Sequence, residues 1–433
     1  MGKLTSKGML RAMAIIIVMA LSWLPAAGVT RTAGDIYDAE AAMADSLTVS
    51  LITCYPGPEI YELYGHEAIR VRGEGRDSVW NYGIFDFRAP NFIYRFVKGE
   101  TDYMCAAYPF AWFLPEYEKR GSKVVEQDLN LTQTEAHALL KALQTEALPE
   151  NRTYRYNYVK DNCATRILDR LDSAAGSPIV YPDSVAFGTF RNEMRSYNRD
   201  YPWYQFGIDI ALGSGIDYPV SSREEMFVPV EMMMKVDRGR MLDGRPLVRE
   251  SRVIYEGEPD ATLGPGTPWL RPLPVSCVLA FVVLCISLFN FKTGRITRWV
   301  YSLWFAILGL AGCVVWFLVF ISVHEATSPN TLLLWLSPVQ LVTAGAMAIK
   351  RLRRTGIIMA WYNIVAVVTT LVVWPFQHQS GNPAFYPLMG ITLLLAITYA
   401  IIAPKISYNN KGERNRISRS PRSKSVRIRQ TCK

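Results

Sequence analysis

Hydrophobic and polar positions divide this chain into a polar first part and a strongly apolar second part. Apolar runs cover residues 272–291, 299–322, 332–349, 356–377 and 386–404. Each is near the roughly 20 residues that a helix needs to cross a bilayer. A sixth run, Ala12–Leu24, is shorter, follows Lys3, Lys7 and Arg11, and stops at Pro25. It predicts an export signal or N-terminal anchor within residues 1–44. Small residues at Ala26-Ala27-Gly28 and at Ala42-Met43-Ala44 offer two cleavage sites. The polar part, residues 45–271, changes period along its length. Leu47, Val49 and Leu51 alternate over Ser46–Thr53 and predict a strand. Gly65–Arg72 and Ser78–Ile84 predict two more, joined across Gly73-Glu74-Gly75. Over Leu131–Leu148 the period becomes helical, with Ala136, Leu139, Leu140 and Leu143 on one face. Thr132 is its cap and Glu135 the capping-box partner. A second helix is expected over Cys163–Leu171, with Ile167, Leu168 and Leu171 inward. Strands and helices mixed in this way predict an α+β domain.

Charge orders these parts across the membrane. Lys292, Arg295 and Arg298 lie between the first two long runs, and Lys350, Arg351, Arg353 and Arg354 between the third and fourth. The loops around His324 and His378 carry no Lys or Arg. By the positive-inside rule, residues 45–271 and these two loops are extracytoplasmic. The end of the chain, residues 405–433, carries ten Lys/Arg against one Glu and is expected to be a disordered cytoplasmic tail. That tail and the two basic loops account for more than the whole net charge of +9, so the polar domain is acidic. Membrane topology therefore explains the basic balance, and no nucleic-acid partner is expected.

Within the polar domain the candidate chemistry is sparse. The four histidines, at 66, 137, 324 and 378, have no metal-ligand spacing, and the seven cysteines contain no CxxC pair. No GxSxG, GxGxxG, HExxH or P-loop is present. Neither metal nor cofactor is expected. Cys277, Cys285 and Cys313 lie in apolar runs and read as small hydrophobes. Whether Cys54 and Cys105 are bridged stays open. His137 falls on the predicted helix and reads as solvated or structural. Two residues remain. Cys163 opens a helix behind Asn162, a good N-cap, where a thiol meets the positive end of the helix dipole. His66 opens a strand behind Gly65. A buried structural cysteine and a core histidine are the plain alternatives. Together the pair suits a nucleophile and its base. Asn81 and Tyr82, on the next strand, are candidates to support the imidazole; Glu67 points to the opposite strand face. The aromatic segments at residues 108–113 and 201–204 suit either a membrane interface or a core.

Five stretches carry a resemblance: LITCYPGPEIYELYGHEAIRV, NYGIFDFRAPNFIYRFVKGETDY, EQDLNLTQTEA, YRYNYVKDNCATRILD and YPWYQFGIDIALGSGID. They resemble the lipoprotein N-acyltransferase family of the Bacteroidota. The His324…Asn330…Leu334-Trp335-Leu336…Pro338 pattern is similar to that family's membrane part. The His-before-Cys order is similar to circularly permuted papain-like enzymes of the NlpC and lecithin–retinol acyltransferase type. The resemblance implies Cys163 as acyl acceptor and His66 as base. It implies a phospholipid acyl donor, a diacylated lipoprotein as acceptor and an inner-membrane protein whose catalytic domain is periplasmic. Two other readings use the same residues differently. A membrane-anchored papain-like amidase or peptidase acting on cell-wall peptides would share Cys163 and His66. A non-enzymatic membrane scaffold would need neither.

Overall fold

A computed structural model describes residues 46–176, 178–258 and 267–418. The expected export signal, and the chain beyond Ser418, lie outside the described residues. The chain forms two compact units that are not colinear with it. Among the described residues, the first comprises residues 46–197, 219–258 and Ser322–His324; the second comprises Asn198–Tyr218, residues 267–321 and residues 325–418.

In the first unit seven strands among the described residues form one antiparallel sheet, in the spatial order Thr153–Arg155, Asp102–Pro109, Arg76–Ile84, His66–Gly73, Thr48–Cys54, Val124–Leu129 and Val248–Tyr255. They are β1 (Thr48–Cys54), β2 (His66–Gly73), β3 (Arg76–Ile84), β4 (Asp102–Pro109), β5 (Val124–Leu129), β6 (Thr153–Arg155) and β9 (Val248–Tyr255). β7 (Ile179–Val180) and β8 (Arg240–Met241) make a separate ribbon. Strand alternation gives the sheet two different faces. Val49, Leu51, Ile69 and Val71 face one core, closed by the helices Gln133–Glu146 and Cys163–Ala174 through Leu139, Leu143, Ile167, Leu168 and Leu171. Each such side chain contributes about 1.5–3 kcal/mol by leaving water. Ile52, Cys54, Ala68 and Val79 face a smaller core under the helix Phe110–Arg120. The periodicity of Leu131–Leu148 and its capping box are as the sequence predicts: Thr132 Oγ1 accepts from Glu135 N–H at 3.2 Å, and Glu135 accepts from Thr132 N–H at 2.7 Å. His137 is exposed, its Nε2 2.8 Å from Glu74. Cys54 and Cys105 are both buried and unbridged. They belong to the two different cores.

Aromatic segment 108–113 divides between interior and surface. Phe110 and Phe113 are buried, Tyr108 is half-buried, and Trp112 is 60% exposed. The reason is helical spacing, which places residues 110, 113 and 117 on one face.

In the second unit, five helices among the described residues are long and apolar enough to cross a membrane. The third departs from the continuous helix expected over 332–349. It is a short turn of helix at Thr331–Leu334, a bend, and then a helix of only ten residues, Val339–Ala348. The ten-residue piece alone covers about 15 Å of a hydrocarbon core of about 30 Å; the span is completed by the turn and bend before it, Thr331–Ala348 in all. Pro338 sets the break, because it has no N–H to continue the ladder. Non-helical backbone at membrane depth must be buried in protein. Here it lies against the helix Arg298–Phe320 at two glycines: a Cβ on Gly312 would sit 2.5 Å from the Ser337 carbonyl carbon, and one on Gly309 2.7 Å from Leu341 N. We expect Gly312→Ala to lower the melting temperature of the detergent-solubilised protein, since overpacking costs about 1–3 kcal/mol. Gly390→Ala, where a Cβ meets nothing within 4 Å, is the control and should leave it unchanged or raised.

The last helix, Phe385–Ser418, continues past Lys405 into the segment expected to be disordered. Extending an existing helix needs no new nucleus, which polar composition alone does not capture.

Asn198–Tyr218 groups with the apolar helices rather than with the polar domain around it in sequence. Its backbone is threaded to the loop after Phe320. Gly213 N–H donates to Ala326 O at 2.9 Å, Ser214 N–H to Pro329 O at 2.8 Å, and Asn330 Nδ2 to Ile210 O at 3.0 Å.

Candidate active site

Every residue of the segment Asp161–Arg166 has a visible task in presenting Cys163. Asn162 is the N-cap: its Oδ1 accepts from the N–H groups of Ala164 at 2.9 Å and Thr165 at 3.0 Å. Asn162 N–H donates back to Thr165 Oγ1 at 2.8 Å. Asn162 Nδ2 donates to the carbonyls of Tyr158 and Phe227, which locks the cap in place. Asp161 grips Arg166 through two bonds of 2.6 and 2.9 Å. Arg166 and Arg170 both reach Glu146, which also accepts from Tyr82 Oη at 2.7 Å. The helix that carries Cys163 is thereby fastened to its neighbour helix and to β3. Asn162 thus positions the helix.

The Cys163 thiol is buried among backbone N–H groups. Burial pushes its pKa up; the N–H groups of Glu67, Ala164 and Cys163 itself pull it down, and burial prevails. A thiol held in this way would need a base to ionise near neutral pH. The Glu67 N–H is a contact that sequence reasoning missed. The β2–β3 ladder ends at the Ala68–Asn81 pair, and the Glu67 peptide lies just beyond it. The Glu67 carboxyl is buried too, accepts from Thr53 Oγ1 at 3.0 Å, and is held protonated to well above the usual range by its burial, with Cys163 adding to the rise. Alternation was the available signal: Glu67 shares its strand face with Ile69 and Val71, the face on which the Cys163 helix packs.

His66 opens β2 from a tight approach. Gly65 has φ 77°, and a Cβ there would lie 2.4 Å from Cys54 O, so only glycine fits. The imidazole stacks on Tyr117 at 6.1 Å, and its Nε2 is 2.6 Å from Asn81 Oδ1. Asn81 Nδ2 in turn donates to Tyr108 Oη at 2.6 Å. That bond turns Oδ1 towards the ring, so Nε2 carries the hydrogen and Nδ1 is the basic nitrogen. Burial lowers the His66 pKa, the Asn81 bond raises it, and Arg120 lowers it further; the net shift is downward. The ring is neutral at neutral pH.

Of the two supporting candidates, Asn81 meets His66 and Tyr82 does not. Adjacent strand residues face opposite ways, and Tyr82 turns into the core to Glu146. No hydrogen bond among the described residues joins the thiol to the imidazole. What links them is β2 itself: the N–H aimed at the thiol belongs to the peptide that follows His66. The thiol comes from the face of Ile69 and Val71, while the imidazole stacks with the helix over the other face. No group of three or more His, Cys, Asp or Glu among the described residues has the arrangement of a metal site.

An extracytoplasmic α+β domain presenting a cysteine at a helix start, followed by five apolar helices, defines a class of multi-pass membrane protein with a periplasmic N-terminal domain. Family comparison is specific on both parts. Residues 36–191 match the Lnb N-terminal periplasmic domain, and residues 265–406 match the Lnb transmembrane domain. The chain belongs to the Lnb family, the lipoprotein N-acyltransferase family that its motifs resemble. No curated protein and no solved structure matches it.

Proposed function

We propose that this protein is a lipoprotein N-acyltransferase of the bacterial inner membrane, working through a Cys163 thioester. Its first unit is then a circularly permuted papain-like domain, in which the histidine strand precedes the cysteine helix. The observation that carries the reading is a buried thiol in the first residue of a capped helix, beside the peptide that follows His66, whose imidazole is held by Asn81.

His66 Nδ1 takes the Cys163 proton as Sγ attacks the ester carbonyl of a phospholipid acyl chain. The N–H groups of Cys163 and Glu67 are suited to receive the developing oxyanion. The ester C–O bond breaks, and His66 returns the proton to the leaving lysophospholipid hydroxyl. The acyl group now rests on sulfur. The α-amine of a diacylated lipoprotein attacks this thioester and gives its proton to His66; the C–S bond breaks, and His66 passes that proton to the departing sulfur to restore the thiol. Five helices long and apolar enough to span a membrane follow the domain in the same chain, and both proposed substrates reside in a bilayer. No cofactor enters the scheme.

The test is mass spectrometry of lipoprotein N-terminal peptides from cells lacking their own N-acyltransferase. With this protein expressed, the peptides should become triacylated. Peptides that stay diacylated, with muropeptides trimmed instead, would move Cys163 and His66 to the amidase reading.

A further inference from the structure

The first unit carries an apolar surface that the site does not use. It centres on the helix Phe92–Lys98, a segment of seven residues none of which is buried. Phe87, Ile93, Tyr94 and Phe96 are 65%, 55%, 53% and 50% exposed. The rings form a continuous ladder. Phe87 lies 5.2 Å from Phe92, and Phe92 lies 6.0 Å from Phe96. Isolated exposed apolar residues are ordinary; a contiguous aromatic cluster on a short helix calls for something to cover it.

Chain geometry says what covers it. The last carbonyls of this helix are satisfied by residues that follow a membrane span. Lys98 O accepts from Val323 N–H at 2.9 Å, and His324 Nε2 is 2.9 Å from Phe96 O. Both residues belong to the first unit. The span Arg298–Phe320 ends three residues before Val323. Three residues reach at most about 10 Å, at about 3.5 Å each. Val323 and His324, which bond the C-terminal end of the aromatic helix, thus follow the end of a span by no more than about 10–14 Å of chain, a reach comparable with the headgroup layer, which adds about 5–8 Å to each side of the hydrocarbon core. Phe and Tyr at that level place apolar rings in the acyl boundary with polar backbone and tips towards water.

We propose that the helix Phe92–Lys98, together with Phe87, inserts its aromatic face into the periplasmic leaflet of the bilayer and so seats the first unit on lipid. His324 is then a fastening residue that joins this helix to the end of the span. The proposal concerns seating on the membrane and stands whether or not the reaction above is correct.

The experiment uses the full chain in nanodiscs of phosphatidylethanolamine and phosphatidylglycerol. Cys277, Cys285, Cys313 and Cys432 are replaced by Ala, and a nitroxide is attached at Phe87→Cys, Ile93→Cys or Phe96→Cys, each as a single addition. A label at Lys141→Cys, on the exposed face of the helix Gln133–Glu146, is the aqueous reference, and the signal of the chain without an added cysteine is subtracted. Relaxation by oxygen, which concentrates in lipid, is compared with relaxation by a water-soluble nickel chelate. Labels at 87, 93 and 96 should show an oxygen-over-nickel ratio several-fold above that at 141. Ratios equal to that at 141 would overturn the proposal. So would dipolar broadening between labels with low access to both reagents, which would mean that a second copy covers the surface. Three independent positions, each checked for an unchanged melting temperature, keep a single misfolded variant from deciding the result.

Discussion

Cys163→Ala is expected to leave lipoproteins diacylated in cells where the wild-type protein makes them triacylated. In the proposed route the substitution removes the atom that would carry the acyl group, so no slower version of that route would remain. It removes little else. The cap at Asn162, the Asp161–Arg166 pair and the Glu146 anchor involve other side chains, so the helix should stay in place. Cys163→Ser keeps the shape but offers an alcohol that is hardly ionised near neutral pH, and it should retain only a trace of activity. A direct readout accompanies the cellular one. Wild-type protein incubated with phospholipid alone should gain one acyl mass, released by hydroxylamine, and Cys163→Ala should gain none. Persisting triacylation in Cys163→Ala, with the protein present in normal amount, would end the thioester mechanism.

Much of this arrangement was legible in the chain, and the misses share a cause. The helix at Gln133–Glu146 could be read because its cap, its period and its burial all agree. Asn162 could be read as a cap because capping is local. The choice between Asn81 and Tyr82 could not, since adjacent strand residues differ only in which face is inward, and sequence pattern alone left both in play. Glu67 faces away from His66 by alternation, and the pattern does not announce that the helix that bears the thiol packs on that other face. The break before Val339 was hidden because hydropathy averages over a window, and Leu332, Leu333, Leu334 and Trp335 keep the average high through the bend. Asn198–Tyr218 was assigned with its sequence neighbours. Its role in the second unit comes from long-range backbone bonds, which no local pattern announces.

His66→Ala should slow thioester formation by on the order of a hundred-fold or more, the usual worth of a positioned base. The pH profile separates a base from a residue that only packs. A general base works when deprotonated, so the wild-type rate should fall as acid protonates His66. Burial lowers the His66 pKa. The acid limb should therefore lie below the ordinary histidine value of about 6.5, so that the proposed base is unprotonated at neutral pH. In His66→Ala that limb should vanish. The residual rate should instead climb at alkaline pH as the thiol ionises unaided, and late, because burial raises the Cys163 pKa above its ordinary value. Asn81→Ala gives the finer test. It removes a hydrogen bond that favours the protonated ring, so the acid limb should move to still lower pH while the maximal rate drops because the ring is no longer oriented. A limb that stays in place in both variants would show that another group titrates. An His66→Ala rate within a few-fold of wild type would assign the imidazole to the core it shares with Tyr117, and the base would have to be sought elsewhere around Cys163.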